Sequence, residues 1–203
     1  REKYVTDIKE ILEDPEISIV VELIGGIEPA TTFMADALRA GKHVVTANKA
    51  AIAKNGQMLT ELAQKQQRVL RFEASVAGGI PILNAITSAL ISNEFSSVQG
   101  ILNGTTNYIL TKMTEEGASY EDVLKDAQKK GFAEADPTAD VEGIDAANKL
   151  SILISLLFGK GVGPDEIPTR GISNVSSEDI AFAEKFGYKI KLLASATSKD
   201  GQL

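Results

Sequence analysis

The stretch Ile17-Ser-Ile-Val-Val-Glu-Leu-Ile24, closed by Gly25-Gly26, decides how the first part of the chain folds. It is an apolar, β-branched run of strand length ending in a glycine pair, the pattern of a strand buried on both faces of a parallel sheet. Downstream, Pro29 suits a helix start, and Phe33, Ala37 and Leu38 follow at helical spacing until Gly41. His43-Val-Val-Thr-Ala47 reads as a second strand, residues 56–67 as a helix and Val69 to Ser75 as a third strand. The alternation β-α-β-α-β over residues 1–75 predicts a parallel sheet with right-handed crossovers. The charged sequence that opens the chain at Arg1 has helical character, and a start without Met suggests an internal portion of a longer polypeptide.

Beyond Ser75 the rhythm changes, which predicts a second domain over residues 76–203. A loop, Val76-Ala-Gly-Gly-Ile-Pro81, leads to a helix ending near Ser92 and a strand from Ser97 to Leu102. Helices are expected over residues 105–116, 120–130 and 143–158, then a loop with Pro164 and Pro168, and a helix over 177–186. Lys189-Ile-Lys-Leu-Leu-Ala-Ser-Ala-Thr197 has strand character and would complete a second sheet. The expected class is α/β plus α+β.

Composition narrows the chemistry. The 203 residues are 43% hydrophobic and 24% charged, as in an ordinary globular protein, and the net charge of −7 gives no footprint for nucleic acid or an anionic membrane. With no Cys there is no thiolate nucleophile, Cys-ligated zinc, iron–sulfur cluster or disulfide, and one His cannot build a multi-His metal site. No run approaches the roughly 20 apolar residues of a membrane span, so a cytoplasmic setting is expected.

Four constellations remain. Gly25-Gly26 stands where a parallel strand hands over to a helix, a ligand-binding edge in open α/β sheets, although turn geometry alone also calls for glycine there. No strand-to-helix junction carries a G-x-G-x-x-G fingerprint. Thr46-Ala-Asn-Lys49 puts an amine at the same edge, which polarises a carbonyl, meets a phosphate, or is simply solvated. His43, at a strand start, reads as structural. Phe72-Glu-Ala-Ser-Val-Ala-Gly-Gly-Ile-Pro81 sets Glu73 beside a sharply turning backbone, which suits either a hard cation or an ion pair.

The fourth is the most informative: Gly131-Phe-Ala-Glu-Ala-Asp-Pro-Thr-Ala-Asp-Val-Glu-Gly-Ile-Asp-Ala-Ala-Asn-Lys149, in which Glu134, Asp136, Asp140, Glu142 and Asp145 precede one lysine. Asp145 and Lys149, four apart, share a helix face. Exposed, such a pair contributes only about 0.3–0.5 kcal/mol. The helix that follows, Leu150-Ser-Ile-Leu-Ile-Ser-Leu-Leu-Phe158, is apolar almost all round, so the pair sits at the mouth of a core, where a lysine beside a carboxylate can move a proton or polarise an oxygen.

At these residues the chain resembles the homoserine dehydrogenases. The resemblance rests on Val20-Val-Glu-Leu-Ile-Gly-Gly26, Val45-Thr-Ala-Asn-Lys49, Phe72 to Pro81, Gly100-Ile-Leu-Asn-Gly-Thr-Thr-Asn-Tyr-Ile-Leu110 and Gly131 to Lys149, in the family's order. It implies the latter part of a Rossmann-like NAD(P)-binding domain over residues 1–75, then a catalytic and dimerisation domain over 76–203 whose mixed sheet packs against helices. The implied reaction is the NAD(P)-dependent interconversion of L-homoserine and L-aspartate 4-semialdehyde, on the route to threonine, methionine and isoleucine. The resemblance assigns acid/base chemistry to Lys149, with Asp145 beside it and Lys49 facing cofactor and substrate. Glu134 would receive the substrate ammonium, with Asp140 and Thr105 nearby, and Gly25 would lie against the cofactor, NADP or NAD. Glu73 and the carbonyls of Val76, Gly78 and Ile80 would hold a sodium ion, and the protein would form a homodimer. Position 132 is Phe where relatives often carry Tyr.

Competing readings are another two-domain NAD(P)-dependent reductase of a small amino acid or sugar acid, a non-catalytic dimerisation and substrate-binding module, and a metal-dependent hydrolase using the acidic cluster. An aspartate-semialdehyde dehydrogenase is disfavoured, since its acyl transfer needs a cysteine.

Overall fold

The computed structural model describes residues 4–199 and 202–203; Arg1 to Lys3, where the charged helical opening was expected to begin, lie outside them. The chain forms two compact units. One comprises residues up to Asn93 together with Ile152–Gly163, the other Glu94–Ser151 together with Pro164–Leu203.

In the first unit, α1 (Ile8–Glu13) is capped by Asp7, whose carboxylate accepts the Lys9 N–H at 2.9 Å. Strand β1 (Ile19–Glu22) leads to α2 (Ala30–Arg39), β2 (His43–Thr46), α3 (Lys49–Lys65) and β3 (Leu70–Arg71). The strands lie in the order β1-β2-β3, all parallel, with Ile19 opposite His43 and Val44 opposite Leu70. This is the expected α/β half. Helix α2 packs on β1 and β2, and α3 on α2 and β3. Glu22, Val44, Thr46 and Leu70 are buried, with Met34, Leu38 and Leu59 completing the core.

On the opposite face Ile19 is 54% and Val21 60% exposed, so among the described residues β1 is covered on one face. Alternate side chains of a strand point to opposite faces, and α2 and α3 cover one of them. His43 is structural, its Nδ1 accepting the Val69 N–H at 3.0 Å beside the β2–β3 ladder.

Helix α3 begins seven residues before the predicted start, because Asn48 caps it by accepting the Ala51 N–H at 3.1 Å. Lys49 therefore occupies the first helical position. After β3 the chain makes a short 3₁₀ turn over Glu73–Ser75. The helix expected up to Ser92 is broken into α4 (Ile82–Asn84) and a π-helical stretch, Ala85–Ala89, ended by Leu90 N donating to Ala85 O at 2.9 Å.

The second unit starts with β4 (Ser97–Gly100), followed by α5 (Gly104–Glu116), α6 (Tyr120–Lys129), α7 (Thr138–Val141) and α8 (Ile144–Phe158). The unit assignment divides α8, leaving Ile144–Ser151 here and Ile152–Phe158 in the first unit. Helix α9 (Ser177–Lys185) and β5 (Ala194–Thr197) complete the unit. Strand β5 pairs antiparallel with β4, Ser97 opposite Thr197, so the second sheet is an antiparallel pair among the described residues rather than a mixed one. The strand expected from Lys189 is confined to its last four residues; Lys191 instead reaches α5, donating to Asn107 Oδ1 at 2.9 Å. Ile109, Leu110, Met113, Val123, Ala127, Val141, Ile172 and Ile180 form the core.

The return from α7 to the 170s is tight. Ile172 N donates to Val141 O at 2.8 Å, and a Cβ at Gly171 would stand 2.5 Å from that same carbonyl oxygen. Gly171→Ala is therefore expected to destabilise the protein by about 1–3 kcal/mol, the usual cost of overpacking. Urea denaturation with an unchanged midpoint would count against this packing.

Candidate functional site

The richest polar cluster lies in the second unit, where the start of α5 meets the 131–140 loop and the first turns of α8. Helical spacing places Asp145 and Lys149 on one face of α8, and Lys149 Nζ donates to Asp145 Oδ2 at 2.6 Å. Asp145 is 3% exposed and the Lys149 side chain 16%, so this is not a solvated surface pair. The same ammonium donates to Leu102 O at 2.7 Å. Two of its three N–H groups are thus fixed, leaving one for an incoming oxygen.

Asn103 links this pair to Asp140. Its Nδ2 donates to Asp145 Oδ2 at 2.9 Å and to Asp140 Oδ1 at 2.7 Å, while its Oδ1 caps α5 by accepting the Thr106 N–H at 2.8 Å. Thr105 Oγ1 lies 3.1 Å from Asp140 Oδ2 and 2.7 Å from Phe132 O. The structure therefore brings Lys149, Asp145, Asp140 and Thr105 into one network. Glu134 stays outside it: its side chain is exposed, and its backbone carbonyl accepts from Gln128 Nε2 at 3.1 Å.

The remaining acids of the segment have other work. Asp136 accepts from the Thr138 hydroxyl and N–H, which holds its carboxyl below the usual range, and Glu142 accepts from Ser173 Oγ. Behind Phe132 the Tyr108 ring lies 4.9 Å away, its hydroxyl donating to Asp126 Oδ2 at 2.6 Å. Lys130 donates to Asp126 at 2.8 Å and to the Tyr108 hydroxyl at 3.0 Å. The Lys130 hydrogen bond, then that of Tyr108, holds the Asp126 carboxyl below the usual range.

A second cluster sits at the carboxyl edge of the parallel sheet. Glu22, 4% exposed, accepts the Ile24 N–H at 2.7 Å and the Thr46 hydroxyl at 2.6 Å. Thr46 Oγ1 in turn accepts the Asn48 N–H at 2.9 Å, and Asn48 Nδ2 donates to Gly26 O at 2.7 Å. This chain fixes the Gly25-Gly26 turn and the first turn of α3 that bears Lys49. Both glycines have positive φ, +81° and +72°, and a Cβ on Gly25 would meet nothing within 4 Å. Backbone conformation, rather than crowding, accounts for glycine there, and the turn opens onto space at the carboxyl edge of the sheet.

Glu73 is neither a buried ion-pair partner nor an idle carboxylate. It accepts the N–H groups of Leu83 at 2.9 Å and Asn84 at 2.8 Å, at the start of α4. Positive φ at Ala77 and Gly78 turns the intervening loop, and Ile80 O accepts from Ile82 N at 2.8 Å. Among the described residues no group of three or more His, Asp and Glu side chains is placed to hold a metal ion.

The sequence reading missed Leu102, Asn103, Glu22 and Thr46. Asn103, immediately before Gly-Thr-Thr, carries a recognisable helix-cap signal. Glu22 gives a weaker one, as an acid inside an otherwise apolar strand run.

Two family models match the chain: one described as the NAD binding domain of homoserine dehydrogenase, over residues 1–73, and one described as homoserine dehydrogenase, over residues 81–202. The homoserine dehydrogenase of Synechocystis sp. is 49% identical over 201 residues and that of Bacillus subtilis 47%, each alignment covering 99% of this chain and 46% of the relative. The chain thus spans about half the length of these curated relatives. A crystal structure of a homoserine dehydrogenase from Thiobacillus denitrificans superposes with a TM-score of 0.92 at 49% identity, covering 96% of this chain and 45% of that one. A hyperthermophilic archaeal homoserine dehydrogenase in complex with NADPH gives 0.81 at 29% identity, covering 97% and 57%.

Two outcomes test the clusters. Glu22→Ala strands the Thr46 hydroxyl and the Ile24 N–H and is expected to cost about 1–3 kcal/mol in denaturant unfolding. The second concerns pH. The folded Asp126 carboxyl sits below its unfolded value of about 3.9, so the stability it adds is present above that pH and is lost as pH falls through the folded value. Asp126→Asn should flatten this part of the acid-melting curve, and identical curves for variant and parent would refute the linkage.

Proposed function

The chain belongs to the homoserine dehydrogenase family, and from that premise we propose that the whole protein interconverts L-homoserine and L-aspartate 4-semialdehyde with NADP or NAD. The observation that carries this reading is the Lys149 ammonium, held at 2.6 Å by the Asp145 carboxylate and at 2.7 Å by the Leu102 carbonyl. When bound, the nicotinamide supplies or accepts the hydride, chemistry the protein's own side chains lack.

In the reducing direction Lys149 gives a proton to the aldehyde oxygen as it becomes the alcohol; in the oxidising direction the neutral amine takes that proton back. Asp145 keeps the amine aimed and balances its charge. Asp140, with Thr105, and the exposed Glu134 receive the substrate's ammonium group, since carboxylates are the natural partners of a zwitterion's amino end. The Gly25 turn and Lys49 serve the cofactor, and Lys49 serves the substrate as well. The parallel strands, the open glycine turn at their carboxyl edge and the NAD-binding family match support this half of the assignment.

Glu73 and the carbonyls of Val76, Gly78 and Ile80 are assigned to a sodium ion. An all-oxygen donor set on a sharply turned loop suits a hard cation, and a carboxylate accepting two N–H groups retains lone pairs. Cofactor binding is assigned to residues 1–75 and catalysis to 76–203, a division supported by the family models over 1–73 and 81–202, although the compact units divide at Asn93. Exposed Phe182, Phe186, Tyr188 and Leu193 in the second unit support a homodimer. A cytoplasmic enzyme fits a chain in which no described helix is long and apolar enough to cross a membrane.

In the whole protein Lys149→Ala should abolish oxidation of L-homoserine, followed as NADPH or NADH formation, while circular dichroism stays close to the parent. Near-normal steady-state turnover by that variant would sink the assignment.

A further inference from the structure

We propose that Asn103 is a positioning residue that sets the spacing between the two ends of the substrate site: the carboxylate that receives the amino end and the lysine that moves the proton at the hydroxyl end. The inference rests on the functional reading above and deepens it.

Asn103 is 4% exposed, and its hydrogen-bonding capacity is fully used. Oδ1 accepts from Thr106 N at 2.8 Å and Thr106 Oγ1 at 2.9 Å; Nδ2 donates to Asp140 Oδ1 at 2.7 Å and Asp145 Oδ2 at 2.9 Å. The orientation of the amide is dictated by its partners. Turned over, its oxygen would face two carboxylates and its NH₂ would face the Thr106 N–H.

One planar group thus bridges Asp140 and Asp145, and Asp145 holds Lys149 through the same Oδ2 that Asn103 touches. The neighbouring Leu102 carbonyl binds the Lys149 ammonium directly, so two successive residues locate the lysine from two sides. A neutral donor is the chemistry this place needs. A cation would compete with Lys149 for Asp145, and a carboxylate would add a third negative charge beside the two already there. The amide fastens both acids without altering the charge of the site.

The role separates from helix capping, because Asp and Ser cap as well as Asn does. Asn103→Asp keeps the size and the acceptor toward Thr106 but removes both donors. Asn103→Ser keeps an acceptor and is too short to bridge.

The test is steady-state oxidation of L-homoserine with NADP⁺ by the whole enzyme carrying Asn103→Asp or Asn103→Ser, with Lys149→Ala as reference, alongside thermal melting and a crystal structure of Asn103→Ser. The expected result is a fall in kcat of about 100-fold, the scale of an ångström-sized misplacement. The KM for L-homoserine rises with it, while the KM for NADP⁺ holds within about two-fold, a split that general unfolding does not produce. Turnover kept within about three-fold by both variants, with Lys149→Ala inactive, overturns the role of Asn103 and leaves the functional reading standing. A parent enzyme that does not oxidise L-homoserine removes the functional reading instead. The crystal structure then decides the positional claim: it stands if the Asp140 and Asp145 side chains shift in Asn103→Ser, and is overturned if both stay in place.

Discussion

A charged amine pressed into the mouth of an apolar helix has to be held from several directions, and that requirement organises the second unit. Lys149 is tolerated there because Asp145 balances its charge and the Leu102 carbonyl takes a second of its N–H groups. Asp145 is itself buried, and the Oδ2 that accepts from Lys149 accepts from Asn103 as well. Asn103 brings in Asp140, and through Thr105 the constraint reaches the Phe132 carbonyl. Each link shares a partner with the one before it, so residues far apart in sequence join one hydrogen-bonded network around the ammonium group.

The first unit meets a similar demand at the carboxyl edge of its sheet. Glu22, Thr46 and Asn48 pass a series of hydrogen bonds from the end of β1 to the start of α3. The N–H groups of Ile24 and Gly25 and the Thr46 hydroxyl solvate the Glu22 carboxylate. Such an arrangement is rigid, because a buried acceptor that loses its donors has no water to turn to. The glycine turn and the first turn of α3, which bears Lys49, inherit that rigidity.

What the sequence discloses and what it hides divide along physical lines. The three parallel strands were legible because β-branched runs interrupted by helical spacing have few other solutions, and the Asp145–Lys149 pair because its partners are four residues apart. One-sided burial of β1 was not, since a continuous apolar run looks the same whether one face or two are covered. The early start of α3 was hidden by Gly56, which reads as a boundary yet sits inside the helix. The bonds Glu73 makes to two backbone N–H groups ten and eleven residues on left no local sequence signal. The bridge from Asn103 to Asp140 and Asp145 spans 37 and 42 residues, a distance at which periodicity carries no trace.

The Glu22–Thr46–Asn48 relay also shapes how this protein can drift or be redesigned. The Glu22 and Thr46 side chains bond each other, and Thr46 also holds the backbone N–H of Asn48, so a change at either of the first two alters which replacements the other accepts. Exchanging any one of them for the residue of a distant homologue is a poor guide to its worth, because the background decides the sign. Transplanting this sheet edge into another scaffold means moving the three residues together with the glycine turn as a single cassette.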